Sequence, residues 1–196
     1  MSGKIIGVAG ATGSGKTTLV SQLCDRYNAV SIYEEWEDNP YLLDFYNSKN
    51  YFENQMWFIK KDIARMQRAI DLSSKRQMVI IDKIFLQNYT FVSITELKDS
   101  EKKLCFDFLD NYVHLSKHID LIISISIAEE EILQRIKNRN RNIESGLNLE
   151  WFQKFQKFQK KYLLKYQEKF HFELIEYNNC QMTFENVVQQ INNYTR

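Results

Sequence analysis

The 196-residue chain predicts an α/β fold, a three-layer doubly wound parallel sheet of about five strands. Three observations carry that expectation. Apolar runs recur along the chain and are continuous rather than alternating, as in strands covered on both faces. Stretches with helical spacing lie between them and supply the crossovers of a parallel sheet. The first apolar run is followed at once by a glycine-rich turn and then a helical pattern.

The strands are read in order. Residues 4–9, containing Ile5, Ile6, Gly7, Val8 and Ala9, form the first. Residues 29–33 form a weaker second. Met78, Val79, Ile80 and Ile81 form the third, residues 121–127 the fourth and residues 172–177 the fifth. Between the first strand and the spacing of Leu19, Val20, Leu23 and Tyr27 lies Gly10-Ala11-Thr12-Gly13-Ser14-Gly15-Lys16-Thr17-Thr18. It fits G-x-x-x-x-G-K-[ST] without a gap, in the strand–turn–helix context that this motif requires. Backbone N–H groups of such a turn close around phosphate, and the helix N-terminus adds positive charge. Lys16 reaches the outer phosphates and the Thr17 hydroxyl binds Mg²⁺. The motif therefore implies a nucleoside triphosphate, with the cleft at the carboxyl ends of the strands.

Two longer helices are legible. Over residues 51–73, Phe52, Met56, Ile59, Ile63, Met66 and Ile70 make an apolar stripe. Gln55 and Asp62, seven apart, project to one side of it. Over residues 149–170 the stripe is Trp151, Phe155, Phe158, Tyr162 and Tyr166. Both read as core or dimer contact.

Composition narrows the class. A formal charge of +1 gives no field for nucleic acid or an anionic membrane. Cys24, Cys105 and Cys180 lie far apart, form neither a metal spacing nor a disulfide framework, and suit a reducing cytoplasmic location. The N-terminus runs directly into the first strand, so no signal peptide is expected. No apolar run approaches the roughly 20 residues of a membrane span. One domain over residues 1–196 is expected, with a mobile lid over about 138–148.

Three further segments bear on the acceptor. After the second strand come Glu34, Glu35, Glu37 and Asp38. A carboxylate there lies in the cleft, where a general base for an acceptor hydroxyl is wanted, although most of these acids must be solvated loop charges. The third strand ends in Asp82-Lys83, a Walker-B-like arrangement: Asp82 for Mg²⁺, and Lys83 for negative charge in transfer. The plain alternative is a strand-end charge pair reaching solvent. After the fourth strand, Arg135, Lys137, Arg139 and Arg141 accumulate before Glu144, Ser145 and Gly146. In a phosphate-binding chain such a cluster reads as an arginine lid.

Together these segments resemble the deoxynucleoside kinase family, and its bacterial members most closely. The resemblance spans nearly the whole chain. It rests on the phosphate loop, on Glu34 with Asn39-Pro40-Tyr41 and Phe45-Tyr46, and on Phe52 with Gln55. It rests also on Arg139-Asn140-Arg141-Asn142-Ile143-Glu144, followed by Gly146 and Leu149-Glu150-Trp151. The resemblance implies a P-loop kinase fold and a homodimer. Glu34 takes the position of the base for the nucleoside 5′-hydroxyl. Tyr46 and Glu144 take those of the pair holding the sugar 3′-hydroxyl, and Gln55 that of the base reader. Arg139 and Arg141 correspond to phosphate-contacting lid arginines, and Arg135 to the arginine against the donor adenine. Thr17 and Asp82 correspond to the magnesium site. The chain departs from the family at Lys83-Ile84, where Arg-Ser is usual, so the forked donor is lost. It departs again at Asp62 and Asn88, where members commonly carry Arg and Asp. Asp62 either accepts from an N–H edge of the base or points to solvent, so the base is left open.

The expected activity is transfer of the γ-phosphoryl group of ATP, or another nucleoside triphosphate, to the 5′-hydroxyl of a deoxynucleoside. Glu34, Lys83, Lys16, Arg139 and Arg141 would be its catalytic groups. Two alternatives stay open: a P-loop kinase for a nucleoside monophosphate or other small acceptor, and a non-catalytic nucleotide-binding relative.

Overall fold

The computed structural model describes residues 3–47, 49–138, 147–178 and 181–195, with the side chains of Tyr46, Glu129 and Thr195 outside that description. Among the described residues five strands form one sheet: β1 (Ile5–Ala9), β2 (Val30–Ile32), β3 (Val79–Asp82), β4 (Leu121–Ser126) and β5 (Glu173–Asn178). Their order is β2-β3-β1-β4-β5 and every pairing is parallel. The expected α/β sheet is therefore present, and its strands lie within a residue or two of the apolar runs.

The reason for continuous apolar runs is visible in β1, where all five residues are buried. Successive side chains of a strand point to opposite faces. Ile5 and Ala9 join the core beneath α3 (Tyr51–Ser74), α5 (Asp99–Tyr112) and α7 (Leu149–Phe170). Ile6 and Val8 join the core beneath α1 (Lys16–Tyr27) and α8 (Phe184–Thr195). Both faces are covered, so neither tolerates alternation. The α3 stripe behaves as core: Ile59, Ile63 and Met66 are buried, while Phe52, Met56 and Ile70 pack half-buried against them. In α7, Phe155, Tyr162 and Tyr166 are buried.

The remaining helices are α2 (Leu42–Tyr46), α4 (Gln87–Ile94) and α6 (Glu129–Asn138). A 3₁₀ turn, Val113–His118, leads into β4. Helices α2, α4, α5 and α8 are additions to the sequence reading. A third apolar cluster places α6 beside the phosphate loop, with Ile132, Ile136, Phe152 and Phe155 around Ala11 and Ile127.

Candidate active site

The chain leaves β1 at Gly10 and enters α1 at Lys16, and the turn between them needs glycine at two points. Gly13 has φ +83° and Gly15 has φ +94°, in the left-handed region where a Cβ is strained. The turn is closed by Ser14 N–H donating to Ala11 O at 3.1 Å. Lys16 Nζ donates back to Ala11 O at 3.0 Å, which folds the ammonium over its own loop. Helix α6 lies against this turn. Ile136 sits where a Cβ on Gly13 would lie 3.1 Å away, and Arg135 is the nearest side chain to Gly15. Arg135 is ion-paired with Glu131, one turn earlier, at 2.5 Å.

A cavity of about 920 Å³ opens where β1, β2 and β3 end. Thr12, Gly13, Lys16, Thr17 and Thr18 line it from the phosphate loop, Glu34 from the segment after β2, and Gln55 from α3. Asp82, Lys83, Gln87 and Asn88 line it from the end of β3 and from α4, and Phe45, Phe58 and Phe91 supply apolar wall. The motif residues, the β2 carboxylate and the β3 acid–lysine pair thus share one space. A second cavity, about 180 Å³ beside Ser124, Gln159 and Glu176, holds none of them.

On one side of this space the Thr17 hydroxyl donates to Asp82 Oδ2 at 2.6 Å. Asp82 is buried, and its Oδ1 has no hydrogen-bond partner. A hydroxyl and a buried carboxylate with one spare oxygen are hard donors, which suit Mg²⁺. The strand-end pair does not reach solvent: Asp82 and Lys83 are 3% and 4% exposed.

On the other side, Lys83 Nζ lies 3.0 Å from Glu34 Oε1 and 3.0 Å from Asp62 Oδ2. The ammonium also stands 4.4 Å from the centre of the Phe58 ring. Burial pulls the Lys83 pKa down, but Asp62 and Glu34 together outweigh it and hold the group above the usual lysine range. Asp62 occupies neither place expected of it. It is 2% exposed, does not line the cavity, and is held by Arg65 and Lys83 and by Asn88 Nδ2 at 2.7 Å. Both of its oxygens are engaged, Oδ1 by Arg65 and Oδ2 by Lys83 and Asn88, so neither is offered to the edge of a base.

Asn88 spends its other N–H on Phe85 O at 2.9 Å, and its Oδ1 is buried without a partner. Gln55 is held by Thr95, whose hydroxyl accepts from Nε2 at 3.2 Å. Tyr46 closes α2, and its side chain lies outside the described residues, as do Arg139, Arg141 and Glu144.

Two groups here escaped the sequence reading. Arg65 is 4% exposed, and its guanidinium donates to the carbonyls of Asp82, Lys83 and Ile32, tying the ends of β2 and β3 to α3. Gln87 donates through Nε2 to Gly10 O at 3.0 Å and to Gln159 Oε1 at 3.2 Å, and Gln159 in turn donates to Ser124 Oγ at 3.1 Å. The only signal for Arg65 is its place three residues after Asp62, at the border of the apolar stripe. Gln87 gave none.

Comparison with known proteins shows the family and the fold. The family model for deoxynucleoside kinases matches residues 6–196. A deoxyadenosine kinase of Dictyostelium discoideum is 30% identical over 159 residues, which is 78% of this chain and 64% of that protein. The chain thus matches less than two thirds of that relative's length. A deoxyguanosine kinase of Bacillus subtilis (strain 168) is 30% identical over 154 residues, 76% of this chain and 72% of the relative. Among solved structures, deoxyadenosine kinase from M. mycoides with bound dCTP superposes with a TM-score of 0.78 at 20% identity. That match covers 96% of this chain and 99% of the other, and it shows the shared fold.

Proposed function

The chain belongs to the deoxynucleoside kinase family, and from that premise we propose that it transfers the γ-phosphoryl group of a nucleoside triphosphate to the 5′-hydroxyl of a deoxynucleoside. One observation carries the reading: the phosphate loop, the Thr17–Asp82 pair and the Glu34–Lys83 pair line the same cavity. A donor and a sugar alcohol can therefore meet in it, and phosphoryl transfer depends chiefly on such positioning and on charge stabilisation.

In the proposed reaction Glu34 accepts the proton of the 5′-hydroxyl. The O5′–phosphorus bond forms as the bond from phosphorus to the nucleoside diphosphate oxygen breaks. Gly10–Thr18 amides and Lys16 hold the triphosphate, and Arg135, placed beside Gly15, lies toward the donor base. Lys16, Lys83, Arg139 and Arg141 oppose the charge on the moving group. Thr17 and Asp82 would hold Mg²⁺, whose contribution is to neutralise phosphate charge. Gln55 and Asn88 face the base, and Tyr46 and Glu144 hold the sugar 3′-hydroxyl. The names of the relatives, deoxyadenosine and deoxyguanosine kinases, support a deoxynucleoside acceptor.

We also propose a homodimer formed through α3 and α5: Leu104 of α5 is 57% exposed, and Phe108 of α5 and Ile70 of α3 are only half-buried. A cytoplasmic location suits a consumer of nucleotides. Among the described residues no helix is long and apolar enough to cross a membrane.

Glu34→Gln tests the reading. It keeps the shape and removes the base, and kcat with deoxynucleosides, ATP and Mg²⁺ is expected to fall by about 10²-fold or more. Steady-state assay over the natural nucleosides is the measurement. An unchanged kcat removes Glu34 from its role, and no turnover of any nucleoside by the parent chain defeats the proposal.

A further inference from the structure

We infer that Asp62 is a positioning residue for the phosphoryl-transfer step: anchored by Arg65, it holds the Lys83 ammonium beside Glu34 and leaves the reaction space itself to Lys83. The inference rests on the kinase reading above. It starts from the number of donors. An ammonium has three N–H groups, and two are accounted for, one to Glu34 Oε1 and one to Asp62 Oδ2, both at 3.0 Å. The third is left for a group in the cavity that Lys83 lines. A lysine side chain is a flexible stem carrying a point charge, and it does not aim itself as a guanidinium fork does. A single carboxylate would let the ammonium move with Glu34. Two carboxylates on different elements, one from the β2 loop and one from α3, fix where it sits.

Asp62 is suited to that task and to no direct one. It is buried, lies off the cavity wall, and both of its oxygens are engaged: Oδ1 by Arg65, Oδ2 by Lys83 and Asn88. Arg65 makes the anchor rigid, because the same guanidinium also grips the carbonyls of Ile32, Asp82 and Lys83. The Lys83 backbone stands at φ +61°, and its N–H donates to Val8 O at 3.1 Å. Main chain and side chain of Lys83 are therefore both pinned, from β1 and from α3. Glu34 gives Oε1 to the pair, which leaves Oε2 for an acceptor hydroxyl.

The test is a double-mutant cycle on the full chain, with kcat, nucleoside KM and thermal unfolding measured for Asp62→Asn, Lys83→Met and the two combined. Asp62→Asn is expected to lower kcat about tenfold, an ordinary size for coupled neighbours, with KM within about threefold. Lys83→Met should lower kcat further. The combined variant should equal Lys83→Met alone to within about twofold, since Asp62 then has nothing left to position. A buried structural carboxylate would lower stability without this dependence on Lys83. Losses that multiply in the combined variant overturn the inference, as does an unchanged kcat in Asp62→Asn while Lys83→Met is impaired. An unchanged kcat in Lys83→Met overturns the role of Lys83, and with it this inference, but leaves the kinase reading standing; that reading fails only if the parent chain turns over no nucleoside. If Asp62→Asn does not fold, Asp62→Glu takes its place in the same cycle. It keeps the charge but lengthens the stem, and its loss of kcat should likewise disappear in the Lys83→Met background.

Discussion

At the scale of single residues, Lys83 shows how a site is set by contacts that its own sequence neighbourhood does not announce. A non-glycine residue in the left-handed region costs on the order of 1–3 kcal/mol and persists only where surrounding structure over-determines it. Here the Val8 carbonyl and the Arg65 guanidinium do so. The cage fits an ammonium closely, with Phe58 at 4.4 Å and Phe91 at 5.5 Å from Nζ. Lys83→Arg adds volume there and brings a second guanidinium near Arg65. It should therefore destabilise the fold by about 1–3 kcal/mol, the range for overpacking, and should lower kcat despite its resemblance to the family's usual residue. Thermal unfolding and steady-state kinetics check both. That Asp82 and Lys83 close a strand was legible, because an apolar run stopped at them. The role of Asp62 was not. Asp62 and Arg65 border the stripe that contains Ile63 and Met66, and a border residue turns inward or outward according to partners on other elements.

At the scale of elements, α7 and α4 make opposite cases. The Trp151-to-Tyr166 spacing made α7 readable, and Asn148 caps it, its Oδ1 accepting from Trp151 N–H at 2.9 Å. Asn148→Ala should cost about 1 kcal/mol, the usual size for losing such a cap. In a chain of this length that is about 2–4 °C in Tm, readable by calorimetry. Helix α4 offered no such stripe. Gln87, Asn88, Tyr89, Thr90 and Val92 are all buried, so polar and apolar residues alike face protein, and the 3.6-residue pattern vanishes. What α4 buries instead is hydrogen bonding, with Gln87 serving the Gly10 carbonyl of the phosphate loop and Gln159 of α7 at once. That link depends on the register between two sheet-end segments and a distant helix, which no local window contains.

At the scale of the whole molecule, the sheet was the most legible feature, because burial on both faces is written directly into runs such as Ile80-Ile81 and Ile122-Ile123. Strand order was not written there. It follows from which crossovers pass over which face, and it places β1 between β3 and β4 with its phosphate loop at the centre of the open end. Assembly is argued at this scale too. If α3 and α5 pair with a second copy, light scattering at micromolar concentration should give twice the 23.5 kDa chain mass. Leu104→Lys should shift it toward one chain, since a charge buried at such a contact is costly. A monomeric parent chain contradicts the dimer.

The order of strands also decides which backbone groups are left on the flanks of the sheet. One flank is β2, only three residues long; the other is β5, where Glu173 and Glu176 are exposed. Unpaired strand edges are templates on which other chains can align, and short length and outward charge are two of the ways in which proteins blunt them. The flanks of this sheet are thereby poor seeds for edge-to-edge aggregation, a useful property for a parallel sheet whose long-range pairings must form before its apolar strands are covered.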